Sequence, residues 1–151
     1  MYTLQKKAVH HYFLQLLATK IKDIEQVLAD LHASAANETK STAGDKHETA
    51  LAMLQIEEAN KREQLKVLQH QQIVLQNINP LLVNTTINNG SLVKTNNGNF
   101  FVSVALGKAV VEREVVIALS VQSPLGKALL DLAKGEKIMF NSVEYLIHEI
   151  L

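Results

Sequence analysis

Cysteine and tryptophan are absent from the 151-residue sequence, and only two prolines and six glycines interrupt it. Without cysteine there are no disulfides, thiol nucleophiles or cysteine metal sites, and a reducing compartment is the simpler setting. Charge of one sign is missing too. Lys plus Arg number 15 and Asp plus Glu 15, so no bulk field draws the chain to nucleic acid or a membrane surface, and any charge-based function is local. No run of about 18 apolar residues occurs. The opening MYTLQKKAVHHYF lacks an apolar stretch followed by small cleavage-site residues, so the expectation is a soluble cytoplasmic protein with no membrane partner. The length suits one ordinary domain or two small ones.

What the sequence does have is periodicity. Leu14, Leu17, Ile21, Ile24, Leu28 and Leu31 alternate spacings of three and four, which is a heptad seam. No glycine or proline occurs before Thr42, so a helix is expected from near Leu4 to about Asn37. After Gly44 a second frame runs through Leu51, Leu54, Leu65, Leu68 and Leu75, with Glu58 and Lys61 as a polar gap, until Pro80 stops it. Two apolar seams of similar length joined by a short loop favour an antiparallel helical hairpin, because neither helix shields its stripe alone.

Beyond Pro80 the pattern changes. NNGS at 88–91 and NNGN at 96–99 supply turns around the strand-like runs SLVKT, NFFVSVAL and EVVIALS. Ser123 and Pro124 form a helix start, with Ser as cap and Pro at the first helical position, and a helix is expected from Leu125 to Ala133. Gly135 suits its end, and EKIMF and EYLIHEI follow as strands around an Asn141-Ser142 turn. The fold class is therefore α+β. Residues 1–79 form a coiled-coil hairpin domain, and residues 80–151 form a small antiparallel sheet with one helix.

The stretch STAGDKHETA, 41–50, joins the two helices and contains Asp45 and Glu48. An acid followed three residues later by Glu before an apolar helix reads as a capping box, and acids in a first turn are favoured by the helix dipole by about 0.3–1 kcal/mol. The same two carboxylates on a narrow projection can supply oxygen ligands to a hard cation such as magnesium. Two are too few to trap it alone, because the ion takes six oxygens, so a partner must complete the site. Both readings stand, and they can coexist.

The segment SPLGKALLDLAKGEKIMF resembles the Gre-type transcript cleavage factors of bacterial RNA polymerase. Ser123, Pro124, Leu125, Gly126, Lys127, Ala128 and Leu129 match the segment that opens the helix of the family's FKBP-like carboxy-terminal domain. At the loop the family has Gly-Asp-x-x-Glu-Asn-Ala-Glu-Tyr, and Gly44, Asp45, Glu48 and Ala50 align with it. The resemblance implies a factor that is not itself an enzyme. Its coiled coil would enter the polymerase secondary channel, and Asp45 and Glu48 would help hold a magnesium ion shared with the polymerase active site. The polymerase's own nuclease activity would then be stimulated on backtracked RNA, which the factor meets only indirectly. Ser123, Pro124, Leu125, Gly126 and Lys127 would belong to the docking domain, or be kept for folding.

Thr49, Leu51 and Ala52 stand where the family has Asn, Glu and Tyr, so the surroundings of the two acids are altered and a third carboxylate is missing. A channel-binding regulator that does not stimulate cleavage is therefore the alternative, and a structural coiled-coil adaptor is a third. Adjacent His10 and His11 lie about 100° apart on a helix and cannot form the usual i, i+4 metal pair, so they read as surface or interdomain residues. His70 and His148 read as core-edge residues. Lys61, Arg62 and Lys66 read as a solvated face, with RNA or polymerase contact as the alternative.

Overall fold

The chain opens with two helices, α1 (Lys6–Thr39) and α2 (Gly44–Gln76). The structure, a computed structural model, describes residues 4–39 and 44–151, with the side chains of 38, 39 and 44–47 outside the description. Six strands and one short helix follow: β1 (Leu92–Thr95), β2 (Gly98–Ser103), β3 (Gly107–Val111), β4 (Glu114–Ser120), α3 (Pro124–Leu129), β5 (Lys137–Phe140) and β6 (Val143–Ile150). The α+β class holds.

The heptad frames do what their spacing demands. Leu17 and Ile21 are buried, and Leu14, Ile24, Leu28 and Leu31 are half-buried. On α2 the frame positions Leu51, Leu54, Glu58, Lys61, Leu65 and Leu68 are all half-buried, so the polar gap lies within the seam itself. Ile24 and Leu68 line one groove, and His10 meets Leu75. Low numbers on α1 thus face high numbers on α2, which makes the pair antiparallel.

Contacts divide the chain into two compact units. One takes residues 16–72, the greater part of the hairpin. The other is built from two stretches, 1–15 and 73–151, so it combines the start of α1 and the end of α2 with the sheet.

The strand order is β3-β4-β2-β1-β6-β5. Every pairing is antiparallel except β2 with β4, which runs parallel from Asn99 opposite Val116 to Ser103 opposite Ser120. The sheet is therefore mixed rather than wholly antiparallel. The reason is β3, a strand that the sequence pattern did not show. It lies at the edge and reverses the chain once more, so β4 returns in the direction of β2. Its hairpin with β4 turns on Glu112 (φ 49°) and Arg113 (φ 69°), both left-handed.

Strand β2 is covered on both faces, because its alternate side chains serve two different cores. Phe100 and Val102 join Ile87, Val93, Leu119, Leu129, Ile147 and Ile150 in one cluster, against which Leu125 and Leu132 pack. Phe101 faces the other way and stacks on Phe13 of α1 at 6.1 Å between centroids. Leu4, Val9, Phe13, Leu75 and Phe101 are each fully buried. At about 1.5–3 kcal/mol per large apolar side chain, this layer fixes the helix ends to their own unit.

Helix α3 is shorter than its sequence suggests, ending at Leu129 instead of Ala133. The cause is tertiary. Leu130 turns to extended backbone and Asp131 takes φ 67°. The Asp131 amide then donates to the Ile87 carbonyl, and the Ile87 amide donates to the Leu132 carbonyl, both at 2.8 Å. Bonds to a neighbouring segment replace the helix's last turn.

Candidate functional site

Helix α2 is described from Gly44, so position 45 lies in its first described turn, and the capping reading of Asp45 lies outside the described residues. Glu48 follows one turn later and is exposed. The Asp45 side chain and residues 40–43 lie outside the described residues. Extending the seam frame back from Leu51 reaches positions 47 and 44. Positions 45 and 48 therefore stand one residue off the interhelical stripe and one turn apart on the backbone. Leu51, at the family's third acidic position, is half-buried in the seam.

The donor chemistry at 45 and 48 is all oxygen, which suits a hard cation, yet it provides only two carboxylates. Among the described residues no group of three or more His, Asp or Glu side chains is placed to hold a metal ion. The pair fits a contributory role at a cation held mainly by another molecule.

The second candidate segment has a clear local purpose. Ser123 caps α3, its Oγ accepting from the Gly126 amide at 3.0 Å while donating to the Ser120 carbonyl at 2.7 Å. Pro124 fills the first helical position. At Gly126 an added Cβ would lie 2.0 Å from the Ser120 carbonyl oxygen, so only glycine allows the helix to sit against β4. Ser123 and Gly126 thus serve folding. Pro124 and Lys127 are exposed and free to meet a partner, while Leu125 is half-buried against the core.

The basic residues of α2 are mostly matched on their own helix. Arg62 pairs with Glu58 at 2.6 Å and Lys66 with Glu63 at 3.2 Å, while Lys61 is half-buried in the seam. His70 and His148 are exposed, not core-edge, because each stands off the apolar frame of its element. His10 is buried, with its Nε2 2.7 Å from the Leu75 carbonyl oxygen and its ring edge-on to Phe101 at 6.4 Å. Of the two readings, surface or interdomain, the surface one fails for His10, which packs between the helices and Phe101 of the 80–151 segment; His11 is exposed. The signal for His10 lay in the seam itself, because it stands four residues before Leu14 on the same frame.

Lys6, one turn earlier, is also buried, and its Nζ donates to the Leu82 carbonyl at 2.6 Å. Burial pushes its ammonium below the ordinary lysine range. Nothing in the pattern LQKKAV sets Lys6 apart from Lys7.

No protein-family model and no curated protein matches the chain. Among solved structures, that of the transcription factor Gfh1 is similar at 16% sequence identity, over 91% of this chain and 92% of that one, with a TM-score of 0.37. Among the described residues no helix is long and apolar enough to cross a membrane.

Proposed function

We propose that this chain is a divergent Gre-like transcription factor that acts in the cytoplasm on RNA polymerase. Its helical hairpin would enter the secondary channel and present Asp45 and Glu48 to the catalytic centre. The observation that carries this reading is the place of the two acids, one turn apart at the turn end of an antiparallel two-helix hairpin and off its seam. At 1.5 Å per residue, a helix as long as α2 spans roughly 50 Å, enough to cross a deep channel. The matches at Gly44-Asp45-x-x-Glu48-x-Ala50 and at Ser123–Leu129 support the same reading from two separate parts of the sequence.

Asp45 and Glu48 would add oxygen ligands to a magnesium ion held mainly by the polymerase. Such an ion, when bound, stabilises developing charge and lowers the pKa of water. The chain's own part is to deliver carboxylates and help orient the water. Pro124 and Lys127, exposed at the start of α3, would contribute to docking.

The test is transcript cleavage on a stalled, backtracked complex with the cognate polymerase. Asp45→Asn is expected to lower cleavage by orders of magnitude while polymerase binding and the thermal midpoint stay unchanged. Equal cleavage by wild type and variant rejects the reading.

A second reading is favoured by Leu51. Where the family has a third acid, this chain places a side chain in the interhelical seam, which fits a factor that occupies the channel without stimulating cleavage. In that case the same assay gives uncut transcripts and slower nucleotide addition.

A further inference from the structure

A cleft of about 160 Å³ opens in the unit that contains the sheet, lined by Lys6, Asn77, Asn79, Asn84 and Asn89 together with apolar neighbours. Its chemistry is one-sided. No Asp or Glu lines it, whereas Lys6 brings an ammonium and four asparagines bring amides.

Several of those donors are unspent. An ammonium carries three, and Lys6, only 6% exposed, uses one on the Leu82 carbonyl. Among the described residues no carboxylate pairs with it. Asn79 accepts the Leu81 amide through Oδ1 at 3.0 Å, which leaves its Nδ2 free. Asn84 donates Nδ2 to Asn88 Oδ1 at 2.9 Å. The side chains of Asn77 and Asn89 make no hydrogen bond to the protein among the described residues.

A buried charge without a counter-charge is costly, and among the described residues a single carbonyl is the one group that offsets this charge. A ligand that accepts several hydrogen bonds and brings negative charge removes the deficit. The volume selects further, because sites for drug-sized molecules run to about 300–1,000 Å³, so this cleft holds a single group rather than a whole nucleotide. Donors offered by four side chains lining one cleft suit a tetrahedral oxyanion better than a planar carboxylate.

We propose that this cleft binds an oxyanion of the phosphate class, held by the Lys6 ammonium and the side-chain amides of Asn77, Asn79 and Asn89. The site is independent of Asp45 and Glu48. The same group arrives either as the free anion or as the phosphate end of a nucleotide whose remainder stays outside the cleft.

The full chain is titrated with inorganic phosphate at constant ionic strength, balanced with chloride, and backbone amide resonances are followed. The expected result is saturable shifts concentrated at residues 77–90 and around Lys6. Lys6→Met and Asn89→Asp should each weaken binding about tenfold or more, as loss of one charge-assisted hydrogen bond predicts. Asn89 is exposed, so Asn89→Asp folds even where Lys6→Met does not, and circular dichroism checks both. A parallel titration with AMP separates the sources, since tighter binding than inorganic phosphate assigns a nucleotide and equal binding assigns the free anion. Linear, non-saturating shifts with phosphate, or unchanged affinity in Asn89→Asp, overturn the proposal.

Discussion

The imidazole Nε2 of His10 lies 2.7 Å from the carbonyl oxygen of Leu75, tying the second turn of α1 to the last turn of α2. The ring N–H donates to a carbonyl at the helix end that also accepts from the Ile78 amide at 3.1 Å. The other side of the imidazole is occupied by Phe101 of β2. One side chain thus joins both helices and the sheet within a single unit.

His10→Ala removes a buried ring and one of the two hydrogen bonds to the Leu75 carbonyl, which keeps the Ile78 amide. The expected loss is about 2–4 kcal/mol in chemical denaturation, a cavity together with one lost hydrogen bond. His11→Ala, at an exposed position, should stay within about 0.5 kcal/mol. Equal effects at the two histidines would show that the contact contributes nothing.

At Gly126 the argument is steric. A methyl group 2.0 Å from the backbone oxygen of Ser120 forces α3 away from β4, so Gly126→Ala should cost about 3 kcal/mol or more. Lys127→Ala, on the exposed side of the same turn, should leave the thermal midpoint unchanged. If Lys127→Ala also weakens polymerase binding, the docking role of this segment is supported separately from its folding role.

The Glu112-Arg113 turn places two ordinary residues in left-handed backbone. Each such residue costs up to about 1–2 kcal/mol that glycine avoids, and Asn-Gly is the preferred pair for this turn. The double variant Glu112→Asn, Arg113→Gly should therefore raise stability by about 1 kcal/mol. A lower denaturation midpoint would mean that the two side chains hold the edge strand in some other way.

Lys6 predicts a pH dependence. Its folded-state pKa is lowered by desolvation, so between that value and the ordinary lysine value the unfolded chain binds more protons than the folded one. Stability rises with pH wherever this is so. The ammonium's penalty is thus fully present below the folded-state pKa and is relieved as pH climbs from there to the ordinary lysine value. Measured against Lys6→Met, wild-type stability should gain with rising pH in the alkaline range. A flat difference would show that Lys6 is solvated.

The hairpin could be read from the sequence because its code is repetitive and local. Leu14 to Leu31 and Leu51 to Leu75 repeat at a spacing that only a helix places on one face, and both frames were found buried or half-buried. Strand β3 escaped because its turn is made by Glu and Arg rather than the Gly and Asn that usually mark one, and the parallel pairing of β2 with β4 was hidden with it. The end of α3 was misjudged because Ile87, more than 40 residues earlier in the chain, captures Asp131 and Leu132, and no local pattern reports such a bond. Asp45 and Glu48 are proposed from motif and position alone, whereas the sequence gives no sign of the Lys6 cleft. Its asparagines look like ordinary loop residues until the fold gathers them around one charge.

The unit containing the sheet takes its first 15 residues from one side of the hairpin and the rest from the other. Residues 16–72 therefore act as a spacer whose extent the sheet does not dictate. Removing one heptad from each helix keeps the apolar register and leaves residues 1–15 and 73–151 intact, so the length of the 16–72 unit is adjustable in steps of about 10 Å. Hairpin length and sheet packing are therefore open to separate change.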